Sequence, residues 1–99
     1  MPARIAIDRE RLARFCRRND LGRLALFGPV LRDDFGKDCA VDVLVEVGPG
    51  TPGGFDFLGL EMELEGILGW RVDLHTPATL SRYLREDVLR EAETVYLAP

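Results

Sequence analysis

The stretch LFGPVLRDDFGKDCAVDVLVEV, residues 26–47, decides the fold of this chain. An apolar run enters a glycine turn and a charged loop, and the chain continues in the valine-rich segment 40–47. Valine at alternate positions is typical of a β-strand. Because side chains alternate between the two faces of a strand, the valines share one face and Asp42 lies on the other, beside Leu44. Asp42 therefore interrupts an apolar surface and is the first candidate functional residue.

Helical and strand patterns alternate on both sides of this stretch. Capping residues and apolar side chains at i, i+3 and i+4 predict helices, whereas short apolar or alternating runs predict strands. The predicted helices cover residues 8 to about 18, 29–33 as a single turn, 56 to about 68, 76 to about 84, and about 85 to 93. The predicted strands cover residues 23–28, 40–47, 70–76 and, as an edge strand, 94–97. This order predicts an α/β or α+β fold in which helices cover a small sheet of three to four strands.

Composition limits the class of protein. The 99 residues have room for one compact core, so we predict a single domain over residues 1–99. The net charge of −4 disfavours sequence-independent binding to nucleic acid. No apolar run approaches the roughly 20 residues that cross a bilayer, and the charged N-terminal segment lacks the apolar centre of a signal peptide. These features predict a cytoplasmic protein with no membrane partner, and they leave its oligomeric state open.

The cysteines and the single histidine of the chain do not form a metal-binding motif. Cys16 and Cys39 lack zinc-site spacing, and a cytosolic disulfide is unusual, so we predict two free thiols. A lone histidine at a strand end, His75, is more often structural than catalytic. Metal chemistry is therefore expected to use oxygen ligands. The acidic run Glu61, Glu63 and Glu65 is interpreted as a solvated helix face.

Two aspartates mark the candidate site. Asp42 and Asp73 each lie on a predicted strand, and neighbouring strands would project both carboxylates from one sheet face. Mg²⁺ is commonly bound by one or two carboxylates together with water and substrate phosphate. Gly28 leaves room for a phosphate near backbone amides, and Arg32 is placed to pair with a phosphate oxygen. The spacing alone makes metal binding a hypothesis, because strand aspartates also serve as caps or ion-pair partners and Arg32 also suits a surface ion pair.

The same residues carry a resemblance to a known family. Gly28, Arg32, Asp42 and Asp73 fall in register with the signature of the minimal nucleotidyltransferases: Gly-Ser, two residues, Arg-Gly-Glu, then Ser-Asp-x-Asp on a strand and a third Asp on a later strand. The likeness extends from the first helix to the C-terminal segment TVYL. The chain is identified as a member of this family, which belongs to the DNA polymerase beta-like superfamily.

The resemblance implies a fold, a reaction and a partner. The implied fold has a small mixed sheet, and the implied reaction transfers a nucleoside monophosphate from ATP or another NTP to an acceptor hydroxyl. In such enzymes three carboxylates hold two Mg²⁺ ions, and here Asp42 and Asp73 would be the metal ligands and catalytic carboxylates. Gly28 and Arg32 would contact the triphosphate. Small members resemble antitoxins that pair with a helical HEPN toxin, and some silence it by attaching nucleotides.

Several positions depart from the family signature. Pro29 replaces the serine that follows the glycine, so a hydroxyl and a backbone N–H are lost. Asp33 and Asp34 replace Gly-Glu. Cys39 and Ala40 replace Ser-Asp, and the alanine removes one of the three carboxylates. We therefore expect impaired catalysis, because two carboxylates balance two divalent ions poorly and do not easily bridge them.

Three interpretations remain open. The chain is an enzyme that transfers nucleotides to a protein hydroxyl, a non-catalytic antitoxin-like module that masks a helical partner, or an inactive sensor that binds ATP through one ion. Asp38 has the same strand parity as Ala40, but it lies about 6–7 Å farther along the chain and is a poor replacement.

Overall fold

The computed structural model of the chain describes residues 5–32, 35–36, 38–47 and 56–99, except for the side chain of Phe57. The helices are α1 (Arg9–Arg18), α2 (Phe57–Leu68) and α3 (Arg82–Glu91), with 3₁₀ turns at Gly28–Leu31 and Pro77–Thr79. The strands are β1 (Leu21–Phe27), β2 (Val41–Val47), β3 (Val72–His75) and β4 (Glu93–Leu97). The strand order is β3-β2-β1-β4. Because only β2 and β3 run parallel, the sheet is mixed, as the resemblance implies.

Helix α1 forms where the sequence predicts it. The carboxylate of Asp8 accepts a hydrogen bond from the backbone N–H of Arg11 at 3.1 Å, which caps the helix. Leu12, Phe15 and Cys16 are buried against the sheet. Burial raises the pKa of the Cys16 thiol to about 12, so this cysteine is held as a neutral core residue. Cys16 and Cys39 are both free thiols, as predicted.

Helix α2 seals one edge of the sheet. It begins after the Asp56 cap and ends at Gly69, which has a left-handed backbone with φ of 76°. The Glu61 carboxylate accepts a hydrogen bond from the backbone N–H of Leu74 at 2.9 Å, and the Glu65 carboxylate accepts one from Val72 at 3.1 Å. The interpretation of the helix acids as a solvated face is wrong for these two glutamates. They satisfy the outward-pointing amides of edge strand β3, which limits pairing with another chain there.

The C-terminal helices differ from the prediction. Instead of two helices there is one 3₁₀ turn followed by α3. Thr76 and Thr79 cap each other's backbone amides around the short turn, and Leu80 is then extended with ψ of 143°. Ser81 starts a new helix by accepting a hydrogen bond from the backbone N–H of Leu84 at 3.2 Å. The two capping sites lie too close together for a full helix between them.

The two faces of the sheet are covered by different helices. Helices α1 and α2 pack on the face that carries Val41, Val43 and Val45. Helix α3 covers the other face, where Leu44 packs with Phe27 and Leu80. Asp42 has the parity of Leu44 and therefore lies on the α3 side. Within the described residues, no helix combines the length and the apolar content needed to cross a membrane.

Candidate functional site

The two predicted aspartates are neighbours across the parallel strands. Asp42 on β2 pairs with Asp73 on β3, so both side chains leave the same face at the same end of the sheet. Asp42 also pairs with Phe27, the last residue of β1. The chain turns at Gly28 immediately afterwards. The structure thus brings together three of the four residues that the sequence singled out.

Gly28 lies against the carboxylate of Asp42. Its backbone is left-handed, with φ of +78°, and a Cβ at this position would overlap Asp42 Oδ2 and lie 3.3 Å from Asp42 Cγ. A residue with a side chain would need both a strained backbone and a displaced aspartate. Gly28 therefore leaves the space that the Asp42 carboxylate occupies, a role that the sequence did not suggest.

His75 is the contact that sequence reasoning missed. Its Nε2 lies 3.2 Å from Asp42 Oδ1, and its ring packs against that of Phe27 with the ring centroids 5.2 Å apart. The sequence analysis treated this histidine as a lone structural residue, whereas it contacts an aspartate on the neighbouring strand. Because His75 is in register with Leu44, it reaches Asp42 diagonally across β2 and β3.

The environment of Asp42 raises the pKa of its carboxyl group. Burial is the main cause, and the nearby charge of Asp73 acts in the same direction. The hydrogen bond and charge of His75 oppose this shift by stabilising the carboxylate. The Asp42 side chain is 23% exposed and that of His75 is 30% exposed. Asp42 is therefore a half-buried acid whose ionised form is held by one histidine.

We expect the raised pKa of Asp42 to make the protein less stable as pH increases. A carboxyl group that binds its proton more tightly in the folded state stabilises that state below its ordinary pKa of 3.8, and this contribution is lost as pH rises through the higher folded value. Replacing Asp42→Asn removes this contribution. Urea unfolding of both proteins between about pH 3.5 and about pH 7 measures the difference. Parallel stability curves for the two proteins would contradict the expectation.

Two further positions of the family signature are Arg32 and Ala40. Arg32 is exposed and lines a pocket of about 370 Å³ with Leu31, Arg90 and Glu91. Its guanidinium makes no hydrogen bond or ion pair with a described residue. Ala40 is half-buried directly before β2 and offers no oxygen on its side chain. Among the described residues, no three His, Cys, Asp or Glu side chains form a group that could hold a metal ion.

The family follows from comparison with known proteins. The model of the nucleotidyltransferase domain family matches residues 9–95. This chain belongs to the nucleotidyltransferase family. The protein adenylyltransferase MntA of Thermococcus cleftensis is 37% identical over 68 residues, which are 69% of this chain and 68% of MntA. MJ0435 of Methanocaldococcus jannaschii, assigned as a protein adenylyltransferase, is 34% identical over 73 residues, which are 74% of this chain and 77% of MJ0435.

Solved structures share the nucleotidyltransferase fold. A protein assigned as a minimal nucleotidyltransferase is 39% identical and has a TM-score of 0.69 over 85% of each chain. A toxin-antitoxin structure with AMP-PNP has a TM-score of 0.71 at 19% identity, over 93% of this chain and 75% of that chain. A complex of an MNT antitoxin with a tri-AMPylated HEPN toxin of Shewanella oneidensis has a TM-score of 0.63 at 20% identity, over 91% and 70% of the chains. The fold predicted from the sequence is confirmed.

Proposed function

We propose that this chain is an antitoxin-type minimal nucleotidyltransferase whose partner is a helical HEPN-type toxin, and that its transfer of nucleotides to a hydroxyl of that partner is impaired. The observation that carries the proposal is the site itself. Asp42 and Asp73 are adjacent on one face of the sheet, but alanine stands at position 40, where the family signature has the third carboxylate, and no described residue adds one to the pair. The relatives named as protein adenylyltransferases support the reaction class. In this proposal residues 1–99 act as one domain in the cytoplasm.

The carboxylates of the site fit one divalent cation. Asp42 and Asp73 supply two anionic oxygen donor groups, which suits a single Mg²⁺ that takes its remaining ligands from water and substrate phosphate. Such an ion, when bound, offsets the negative charge of the phosphates of ATP or another NTP. Gly28 lies at the turn beside Asp42, and the exposed guanidinium of Arg32 is free to contact a phosphate oxygen.

The same residues do not fit a pair of cations. Two ions at the usual separation of about 3.5–4 Å are normally bridged by shared carboxylates, and the position that would add one is alanine. Pro29 offers neither a hydroxyl nor an N–H beside the turn. Removing one group that acts on the transition state costs about a hundredfold or more in rate. Both departures affect the same site for metal and phosphate, so we expect nucleotide transfer to be slow.

A second function, masking of the partner without chemistry, is favoured by the contact between His75 and Asp42. His75 already supplies a partner to Asp42 Oδ1 at 3.2 Å. A carboxylate satisfied within the protein has less need of a cation. In this reading the chain keeps the fold and the partner surface of an antitoxin and neutralises its partner by binding alone.

Incubation with labelled ATP and Mg²⁺ tests the proposal. The chain is mixed with a candidate HEPN-type toxin, and intact-mass measurement detects nucleotide addition. We expect a stable complex and at most slow addition of a nucleoside monophosphate. Rapid and complete addition by the unaltered chain would refute the impairment, whereas the absence of any complex would refute the partner assignment. A stable complex with no addition at all would favour masking.

A further inference from the structure

A basic groove lies between α1 and α2. Its α1 side carries Arg11, Arg14 and Arg18, which are spaced i, i+3 and i+7 and therefore share one helix face. Its α2 side carries Met62, Glu63 and Gly66, and the groove has a volume of about 330 Å³. We name it the α1–α2 groove. Both helices pack on the sheet face opposite to Asp42, so this groove is separate from the candidate site.

The charge of α1 differs from that of the whole protein. The helix Arg9–Arg18 contains five arginines and one glutamate, whereas the full chain has a net charge of −4. Positive charge concentrated on one helix of an acidic protein creates a local field that attracts anionic groups. The α1–α2 groove is thus an electropositive surface on a protein whose average charge repels polyanions.

Two arginines of the groove have charges that no described residue neutralises. Arg18 forms an ion pair with Glu63 across the groove. Arg9, outside the groove, binds the carbonyl of Val95 and the carboxylate of Glu93. The guanidinium groups of Arg11 and Arg14 have no hydrogen bond or ion pair within the described part of the chain. They are available to a ligand that carries carboxylates.

The α2 side of the groove is suited to contact an apolar side chain. Met62 is 64% exposed, and a methionine side chain adapts to the shape of its partner. A Cβ at Gly66 would meet no atom within 4 Å, so the groove is open at that point. Methionine and arginine are both enriched in protein–protein interfaces, so an exposed methionine beside arginines fits such a contact. The net charge of −4 disfavours nucleic acid as the occupant, because a polyanion is repelled by the charge of the whole protein more strongly than a helix with a few carboxylates.

We propose that the α1–α2 groove is the docking site for an acidic amphipathic helix of the partner. Carboxylates of that helix would pair with Arg11 and Arg14, and an apolar side chain would contact Met62. Insertion of an amphipathic helix into a groove between helices is a common recognition mode. This inference rests on the proposed function, because the helix belongs to the helical partner named there. A partner helix that docks between α1 and α2 leaves Asp42 and Asp73 on the other sheet face uncovered.

Charge reversal in the groove tests the inference. The dissociation constant of the complex with the candidate HEPN-type toxin is measured for the unaltered chain and for Arg14→Glu and Arg11→Glu/Arg14→Glu. We expect about a tenfold weaker complex for the single change and a larger loss for the double change. The matched control is Arg17→Glu, which makes the same charge change at an exposed position of α1 outside the groove. We expect that control to bind within about threefold of the unaltered chain.

A steric variant checks the result independently of charge. Gly66→Trp fills the groove from α2, and circular dichroism verifies that the helices remain folded. We expect binding to be weakened by about tenfold or more, since a side chain then occupies the space of the partner. A complex of unchanged affinity in all groove variants would overturn the inference while leaving the proposed function intact. Failure of the unaltered chain to bind would instead refute the proposed function, and the inference with it.

Two further outcomes would assign the groove to another occupant. Binding of a single-stranded RNA oligonucleotide that is lost in Arg11→Glu/Arg14→Glu, with the partner still bound normally, would overturn the inference in favour of nucleic acid. Self-association of the chain that is lost in the same variant, again with the partner bound normally, would overturn the inference in favour of a second copy.

Added salt is expected to weaken the complex with the partner, because the proposed contacts are partly exposed ion pairs.

Discussion

Replacing Ala40→Asp is expected to raise the affinity for Mn²⁺ by about tenfold or more and nucleotide transfer to the partner by about a hundredfold. Ala40 directly precedes β2 and lies two residues before Asp42, so a side chain there leaves the same face of the strand. The new carboxylate would give the pair Asp42 and Asp73 the third anion that a two-ion site requires. Electron paramagnetic resonance of free Mn²⁺ measures binding, and the mass of the partner measures transfer.

The metal-free variant provides a second measurement. A third carboxylate beside Asp42 and Asp73 adds like-charge repulsion, so Ala40→Asp is expected to lower the melting temperature without metal and to regain it when Mn²⁺ is added. Ala78→Asp is the matched control, because Ala78 is an exposed alanine in the turn after β3. That control adds the same charge away from the aspartate pair and should leave metal affinity unchanged.

Two outcomes would contradict the reasoning about Ala40. If Mn²⁺ binds Ala40→Asp no better than the unaltered chain, the added carboxylate does not face the aspartate pair. If Ala40→Asp/Asp42→Asn keeps the full gain, Asp42 is not part of the site. Adding Pro29→Ser to Ala40→Asp is expected to increase transfer further, because it restores a hydroxyl and a backbone N–H at the turn.

The helices and strands with strong local signals were predictable from the sequence. Asp8 and Asp56 each cap a helix through their own carboxylate, and Gly69 supplies the left-handed residue that ends α2. These signals act over three or four residues and need no tertiary partner. The prediction of two helices in the C-terminal region was wrong. Thr76 and Ser81 are both good helix caps, and the sequence alone does not show that Leu80 is extended between them.

The part of the candidate site that depends on strand periodicity was predictable from the sequence. The alternation of apolar and polar residues predicted that Asp42 and Asp73 each lie on a strand. The parallel pairing of β2 with β3 then puts the two residues side by side. The contact of His75 with Asp42 depends on which strand is the neighbour and in which register, so no local pattern contains it. The same holds for Glu61 and Glu65, whose role depends on β3 lying at the edge of the sheet.

Replacing Gly28→Ala is expected to lower the free energy of unfolding by about 2–4 kcal/mol. The backbone at Gly28 is left-handed, which disfavours any residue with a Cβ, and the added carbon would overlap Asp42 Oδ2. Such a loss is a large fraction of the stability of a small domain, which is about 5–15 kcal/mol. Urea unfolding followed by circular dichroism measures it. The matched control is Gly66→Ala in α2, where a Cβ meets no atom and helix propensity should add about 0.5–1 kcal/mol.

A double-mutant cycle separates the two causes of the Gly28 effect. Asp42→Ala removes the overlapping carboxylate and leaves only the Asp42 Cβ, which is 3.5 Å from the added carbon and within ordinary contact distance. In that background Gly28→Ala should cost only the backbone strain, about 1–2 kcal/mol. An equal cost in both backgrounds would show that Gly28 is required for its backbone alone. A smaller cost in the Asp42→Ala background would mean that glycine is needed here because the carboxylate occupies the space of a side chain, which ties the turn directly to the site.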